Sequence, residues 1–249
     1  MDWVKDFYTK QTQWLGLKDR WARVPVKGLS GRPVNRAQAV ERLSGTGSKR
    51  VLELGCGSGI VAGAIASAGH MVVALDLIGE RVANAQRIAD HFPGGTMDVV
   101  QADFYTIEFP DLFDVVCYFD GFGIGSDTDQ RRLLKRITSW LRPNGCALID
   151  IYSPFAKRSG KVIEDFDGLS RTSFDPQDCR MLNSIWPKDG DESQAVTQSL
   201  RCYSVPDLEL LLEGTGLCLK TVEPYASADH DIVVPMADAM LYLAKLTPF

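Results

Sequence analysis

The strongest constraint on this chain is the run Val51-Leu52-Glu53-Leu54-Gly55-Cys56-Gly57-Ser58-Gly59. A short apolar stretch leads straight into three alternating glycines. Glycine has no Cβ and populates positive φ at little cost, so a turn of this kind brings the main chain close to a ligand. A plain tight turn before a helix is the other reading. The surrounding pattern decides between them.

That pattern is an alternation of strands and helices. Short apolar runs at 49–54, 70–76, 97–102, 113–119 and 146–152 read as five strands, and segments 60–68 and 80–91 read as helices between them. Ser126-Asp127-Thr128-Asp129 is a capping box opening a further helix, with Leu133, Leu134, Ile137 and Leu141 on its core face and Pro143-Asn144-Gly145 as its stop. Pro93-Gly94-Gly95 stops the preceding helix. Strands that are apolar throughout and alternate with helices predict a parallel sheet covered on both faces. Ligands of such sheets sit at the carboxyl ends of the strands, where the strand order reverses. A helix is also predicted over 2–15, a loop over 16–36 and a short helix over 34–43.

After residue 152 the rhythm changes. Residues 169–174, 180–186 and 194–203 have strand composition, with a turn at Pro187-Lys188-Asp189-Gly190. They predict a small antiparallel insertion. A helix at 205–213, capped by Ser204, and strands at 217–223 and 240–246 close the chain. The expected division is a helical lid at 1–45, a core from 46–153 and 204–249, and a β-rich insertion at 154–203 serving as a substrate lid.

The acids around the glycines narrow the ligand. Asp76 ends the second strand, 21 residues beyond Gly55, where a carboxylate can accept hydrogen bonds from a ribose diol. Asp103 follows the third strand, and Glu53 stands inside the first, where burial costs several kcal/mol unless it is paired. The spacing is G-x-G-x-G, not the G-x-G-x-x-G of dinucleotide sites, and no Lys or Arg is close in sequence. Such a pocket suits a cationic or zwitterionic nucleoside, and S-adenosylmethionine fits.

Glu53-Leu54-Gly55-Cys56-Gly57-Ser58-Gly59, Asp76 after Val-Ala-Leu, Gln101-Ala102-Asp103-Phe104, Phe113-Asp114-Val115-Val116 and Leu141-Arg142-Pro143-Asn144-Gly145-Cys146 resemble, in order, the motifs of class I S-adenosylmethionine-dependent methyltransferases. The resemblance covers about residues 49–152. It implies an α/β fold: a doubly wound, seven-stranded, mostly parallel sheet, its last strand antiparallel, with helices on both faces. The insertion after the fifth strand resembles the small-molecule and natural-product branch. Carried over, Glu53, Gly55, Cys56, Gly57 and Gly59 would line the methionine part. Asp76 would hold the ribose hydroxyls, with Leu77 under the adenine. Asp103 would take the adenine amino group beside Phe104, and Phe119 would approach the sulfonium by its backbone.

Methyl transfer needs alignment and exclusion of water, and a hydroxyl acceptor also needs a base. The candidates are Asp120 after the fourth strand, His230 between Asp229 and Asp231, and Tyr8 on the first helix. His70 and His91 read as structural. The basic run Arg20, Arg23, Lys27, Arg32 and Arg36 reads as solvated surface, or else as a partner for an anionic substrate or the cofactor carboxylate; Arg131, Arg132, Lys135 and Arg136 read as surface. Arg171, Met181 and Trp186 belong to the insertion, as a substrate lid or as the core of a small sheet.

Composition excludes other classes. Six cysteines and three histidines show no metal spacing, and scattered reduced thiols point to the cytoplasm. A net charge of −5 argues against nucleic acid as partner, and no apolar run is long enough to span a membrane. A small-molecule methyl acceptor is the expected partner, and a homodimer is compatible. The alternatives are methylation of a protein or RNA, a non-catalytic binding module and an NAD-dependent oxidoreductase.

Overall fold

A computed structural model describes residues 2–18, 21, 29–91, 95–156, 160–165 and 167–249. Arg20, Arg23 and Lys27 of the basic run, and Pro93 and Gly94 of the helix stop, lie outside them.

Two helices, α1 (Asp2–Trp14) and α2 (Arg32–Ser44), precede the sheet. Then follow β1 (Arg50–Leu54), α3 (Ile60–Ser67), β2 (Met71–Asp76), α4 (Gly79–Ala89), β3 (Thr96–Gln101), β4 (Phe113–Tyr118), α5 (Asp127–Trp140) and β5 (Leu141–Tyr152). Four strands come next: β6 (Val162–Asp165), β7 (Gly168–Asp175), β8 (Arg180–Pro187) and β9 (Val196–Arg201). The chain closes with α6 (Val205–Leu212), β10 (Leu217–Tyr225) and β11 (Leu241–Pro248).

Seven strands form one sheet in the order β10-β11-β5-β4-β1-β2-β3. The pairs from β5 across to β3 are parallel, and β11 runs antiparallel to both neighbours. The chain moves outward from β1 to β3, then returns to β4 on the other side of β1. The carboxyl ends of β1 and β4 are therefore the switch point at which a cleft opens. Valine, leucine and isoleucine fill the central strands, and Val51, Leu52, Leu54, Val115, Val116 and Leu148 are fully buried. Both capping boxes form: Ser126 with Asp129 opens α5, and Ser204 with Asp207 opens α6.

The remaining four strands form a second sheet, β6-β7-β8-β9, all antiparallel. It returns to the main body through Leu200, bridged to Ile124, and through the bond from Arg201 N–H to the Gly123 carbonyl.

Three boundaries differ from expectation. Helix α5 ends at Trp140, and Pro143-Asn144-Gly145 lies inside β5. There Phe113 pairs with Leu141 but Val115 with Cys146, so the intervening residues bulge from the ladder. The supposed loop 16–36 ends early, because Pro33 in the first turn starts α2 at Arg32, a position where proline's missing N–H costs nothing. Strand β6 was not expected: its Val162 and Ile163 are exposed on a sheet edge, leaving no alternation of burial to read. All six cysteines are free thiols, and no helix among the described residues is long and apolar enough to cross a membrane.

Candidate active site

One cavity of about 830 Å³ opens at the carboxyl ends of β1 and β4, and the four-stranded sheet and both N-terminal helices help wall it. The glycine turn forms its floor. Gly55 and Gly57 have φ of 61° and 57°, and both border the cavity, so bare main chain faces the space. Gly59 does not border it. A Cβ there would lie 2.6 Å from the Ala85 Cα, so this glycine lets α3 and α4 pack together. Its expected place along the ligand is therefore corrected.

Asp76 ends β2 and is 6% exposed. Its two oxygens accept the N–H groups of Gly57 and Ile78, each at 2.8 Å. Burial raises its carboxyl above the ordinary value despite Arg81 and these bonds. Asp103 borders the cavity beside Phe104 and accepts the Tyr105 N–H at 2.8 Å through one oxygen. Leu77, Cys56 and Phe119 also line it.

Glu53 is 3% exposed in β1, and its Oε2 has no hydrogen-bond partner among the described residues. Burial pushes its carboxyl up to about 8, against the pull of the Arg36 guanidinium, with the nearby Asp76 adding to the rise. The Ala62 N–H bonds this carboxyl, but a buried carboxyl oxygen left without a partner is costly. It is the kind of group that a cationic ligand completes.

The acids do not surround the turn alone. Arg81 on α4 lies over the Tyr8 ring at 4.5 Å, and its Nη1 is 3.8 Å from where a Gly57 side chain would begin. Arg32 and Arg36 on α2 border the cavity as well. The absence of nearby cations in sequence is thus corrected in space, and Arg32 and Arg36 are not solvated surface. The site carries both signs of charge.

The three expected bases fare differently. Asp120 borders the cavity with a positive φ of 61°. Arg32 reaches its Oδ2 at 2.5 Å, and the Tyr152 hydroxyl donates to its Oδ1. Enclosure by protein would raise this carboxyl, but Arg32, Arg36 and Tyr152 outweigh it and hold the acid below its ordinary value. Asp120 is therefore a weak base. Tyr8 also faces the cavity, and Gln198 donates to its hydroxyl at 2.5 Å. Burial pushes its phenol well up, so it too is no base at neutral pH.

His230 does not border the cavity. It is 7% exposed, stacks on Tyr225 at 4.5 Å, and places Nε2 2.7 Å from Oδ1 of the fully buried Asp150. Arg36 reaches the other Asp150 oxygen at 2.6 Å and lies over the Phe119 ring. This arginine–aspartate–histidine group joins α2, β5 and the loop before β11. Arg36 and His230 lie 114 and 80 residues from Asp150 in chain order, so no local spacing announces the group.

Other expectations resolve as follows. Met181 borders the cavity, Trp186 is buried without bordering it, and Arg171 pairs with Glu192. Arg132 and Arg136 are more than surface: they donate to the Tyr105 and Phe104 carbonyls and fix the loop after β3. His70 accepts the Lys49 N–H and His91 meets the Arg87 carbonyl, both structural as expected.

A doubly wound seven-stranded sheet with an antiparallel final strand, and a glycine turn flanked by strand-end acids at its switch point, define the class I methyltransferase fold. Residues 51–145 match the family model of the methyltransferase domain. A Geobacillus protein named as a methyltransferase is 31% identical over 142 residues, 56% of this chain and 53% of its own length. The cypemycin N-terminal methyltransferase of Streptomyces is 31% identical over 108 residues, 43% of each chain. The matched stretch thus spans about half the length of these curated relatives. Among solved structures, the CcbJ methyltransferase of Streptomyces caelestis superposes with a TM-score of 0.73 at 19% identity, covering 92% of this chain and 95% of that one. An S-adenosylmethionine-dependent methyltransferase of Clostridium acetobutylicum gives 0.70 at 15%, with 96% and 98% covered. The sugar N-methyltransferase KedS8 of Streptoalloteichus gives 0.63 at 18%, with 91% of each covered.

Proposed function

We propose that this chain binds S-adenosylmethionine and transfers its methyl group, by in-line displacement, to a nitrogen of a small-molecule acceptor. The observation that carries this reading is the cavity itself: Glu53, Gly55, Gly57, Asp76 and Asp103 line one space with Arg81 and Asp120. Its donor set fits a zwitterionic sulfonium nucleoside. The unpartnered Glu53 oxygen suits an ammonium, Arg81 suits a carboxylate, and Asp76 and Asp103 suit a ribose diol and an adenine edge. Cys56, Leu77, Phe104 and Phe119 supply the apolar remainder.

The bound sulfonium supplies an activated methyl and its own leaving group. The protein's part is to align the acceptor and keep water out. An alcohol would need a base, yet Asp120 is held below its ordinary value and Tyr8 well above. A neutral amine needs none, and an ionised Asp120 can accept a hydrogen bond from it. That favours nitrogen over oxygen. The curated relative acting on a peptide N-terminus and the sugar N-methyltransferase neighbour agree with this preference. In this reading residues 1–45 and 154–203 close over the acceptor, which is a small natural product.

Calorimetry with S-adenosylmethionine tests the proposal. Binding is expected in the micromolar range, and no heat at tens of micromolar removes the reading. Asp76→Ala should weaken binding about tenfold or more, since hydrogen bonds to a charged group contribute ~1.5–3 kcal/mol. Turnover of radiolabelled methyl onto protein or RNA in place of small amines would overturn the acceptor assignment.

A further inference from the structure

The inner face of the four-stranded sheet is built in rows. In β7, β8 and β9, Thr172 lies opposite Asn183 and Asn183 opposite Gln198. One step along the strands, Phe174, Met181 and Leu200 form a second row. One step the other way, Ser170, Ile185 and Val196 form a third. Side chains two residues apart share a sheet face, so all three rows look the same way.

The two outer rows have packing roles. Ile185 is fully buried against Phe7 and Leu15, and Val196 joins them, so α1 docks there. Met181 and Leu200 pack into the main core. The middle row is different. Thr172, Asn183 and Gln198 all border the cavity, and they carry one hydroxyl and two carboxamides where plain packing would favour apolar residues. Thr172 and Asn183 are half-buried, so their polar groups stay open to the cavity, while Gln198 is buried. Their mutual contact is weak, with Thr172 Oγ1 3.5 Å from Asn183 Oδ1. Gln198 spends its amide on Tyr8.

We propose that this row reads the body of the methyl acceptor, and that the acceptor is an amine on a polyhydroxylated ring, an amino sugar. The proposal rests on the methyltransferase reading of the same cavity and names its substrate class. Carboxamides and hydroxyls each donate and accept, which matches groups that do both, as ring hydroxyls do. Strand spacing sets the three side chains ~4.8 Å apart, a distance on the scale of one saccharide ring. Met181 and Leu200 border the same cavity, and their C–H surface suits the apolar face of such a ring. Across the cavity Asp120 stands as the hydrogen-bond acceptor for the amine. The row itself carries no charge, so it offers nothing to hold a phosphate or carboxylate.

The test uses the full chain and two titrations. The first is calorimetry with S-adenosylmethionine on wild type, Asn183→Ala and the double variant Thr172→Val/Asn183→Leu. Equal affinities show that all three are folded with an intact nucleoside site, while failure of wild type to bind defeats the methyltransferase reading and not the row. The second is saturation-transfer NMR with protein saturated by S-adenosylhomocysteine. Its probes are methyl glycosides of 3-amino and 4-amino hexoses, cyclohexylamine and triglycine. We expect an amino glycoside to bind wild type at least tenfold more tightly than cyclohexylamine, with about tenfold loss in Asn183→Ala and more in the double variant. Equal binding of cyclohexylamine, unchanged binding in both variants, preference for triglycine, or no binding of any amino glycoside each overturns the proposal.

Discussion

The cavity has two walls with different origins. One is the end of the parallel sheet, where Glu53, Gly55, Gly57, Asp76 and Asp103 come from three consecutive strand ends within about fifty residues of chain. The other is assembled from α1, α2, the four-stranded sheet and the loop before β11, and it brings Tyr8, Arg32, Thr172, Asn183, Gln198 and Asp229 to the same space. The first wall depends on backbone geometry set by glycines and strand ends. The second depends on ion pairs and packing between distant segments. In the proposed reading the nucleoside sits against the first wall and the acceptor against the second.

The largest expected effect falls on the second wall. Asp150→Ala removes the carboxylate shared by Arg36 and His230 and leaves a buried guanidinium unpaired, so stability should drop by about 3–5 kcal/mol in a denaturant titration. A loss under about 1 kcal/mol would show that the second wall does not hang on this group. Behind the first wall, where α3 packs on α4, Gly59→Ala forces a Cβ against Ala85 at a φ of 80° and should cost about 2–4 kcal/mol. Thermal melting of that variant would break the comparison if it left the midpoint unmoved.

Acid–base linkage gives the next test. Glu53 has its carboxyl raised from 4.5 to about 8 in the folded chain, so the folded state holds that proton more tightly. The stability this provides is present below the unfolded value and is lost as pH rises through about 8. Asp120 and Asp114 are lowered and act in a separate window, where stability is lost as pH falls below the ordinary carboxylate range. Between pH 5 and 8 Glu53 and the likewise raised Asp76 make stability fall with rising pH, the lowered His70 opposes them, and Glu53→Gln should make the fall shallower. Identical slopes would place Glu53 in a wetter site than its burial implies. The smallest effect belongs to neither wall: Ser126→Ala removes the α5 cap and should cost about 1 kcal/mol without changing nucleoside affinity.

The same division explains what reading the chain could reach. Gly55, Gly57, Asp76, Asp103 and Phe104 were legible because each sits at a fixed offset from a strand end. Their roles toward a ligand follow from that offset and remain proposals that calorimetry tests. His230 reads in sequence as a candidate base between two acids, whereas the fold turns its ring inward onto Tyr225 and Asp150. Arg32 and Arg36 looked like part of a solvated basic run until α2 laid them across the cavity. Gly59 shared the motif's rhythm but serves helix packing.

Sequence by itself determined the alternation of strands and helices, both capping boxes, the glycine turn and the acids at the ends of β1, β2 and β3, since all of these are set by interactions over a few residues. Tertiary structure alone decided which cations meet those acids, that Asp120 is tied to Arg32 and Tyr152, and that Thr172, Asn183 and Gln198 form one row. Those contacts join segments from 11 to 190 residues apart, and only the closing of the chain on itself brings such segments within bonding distance.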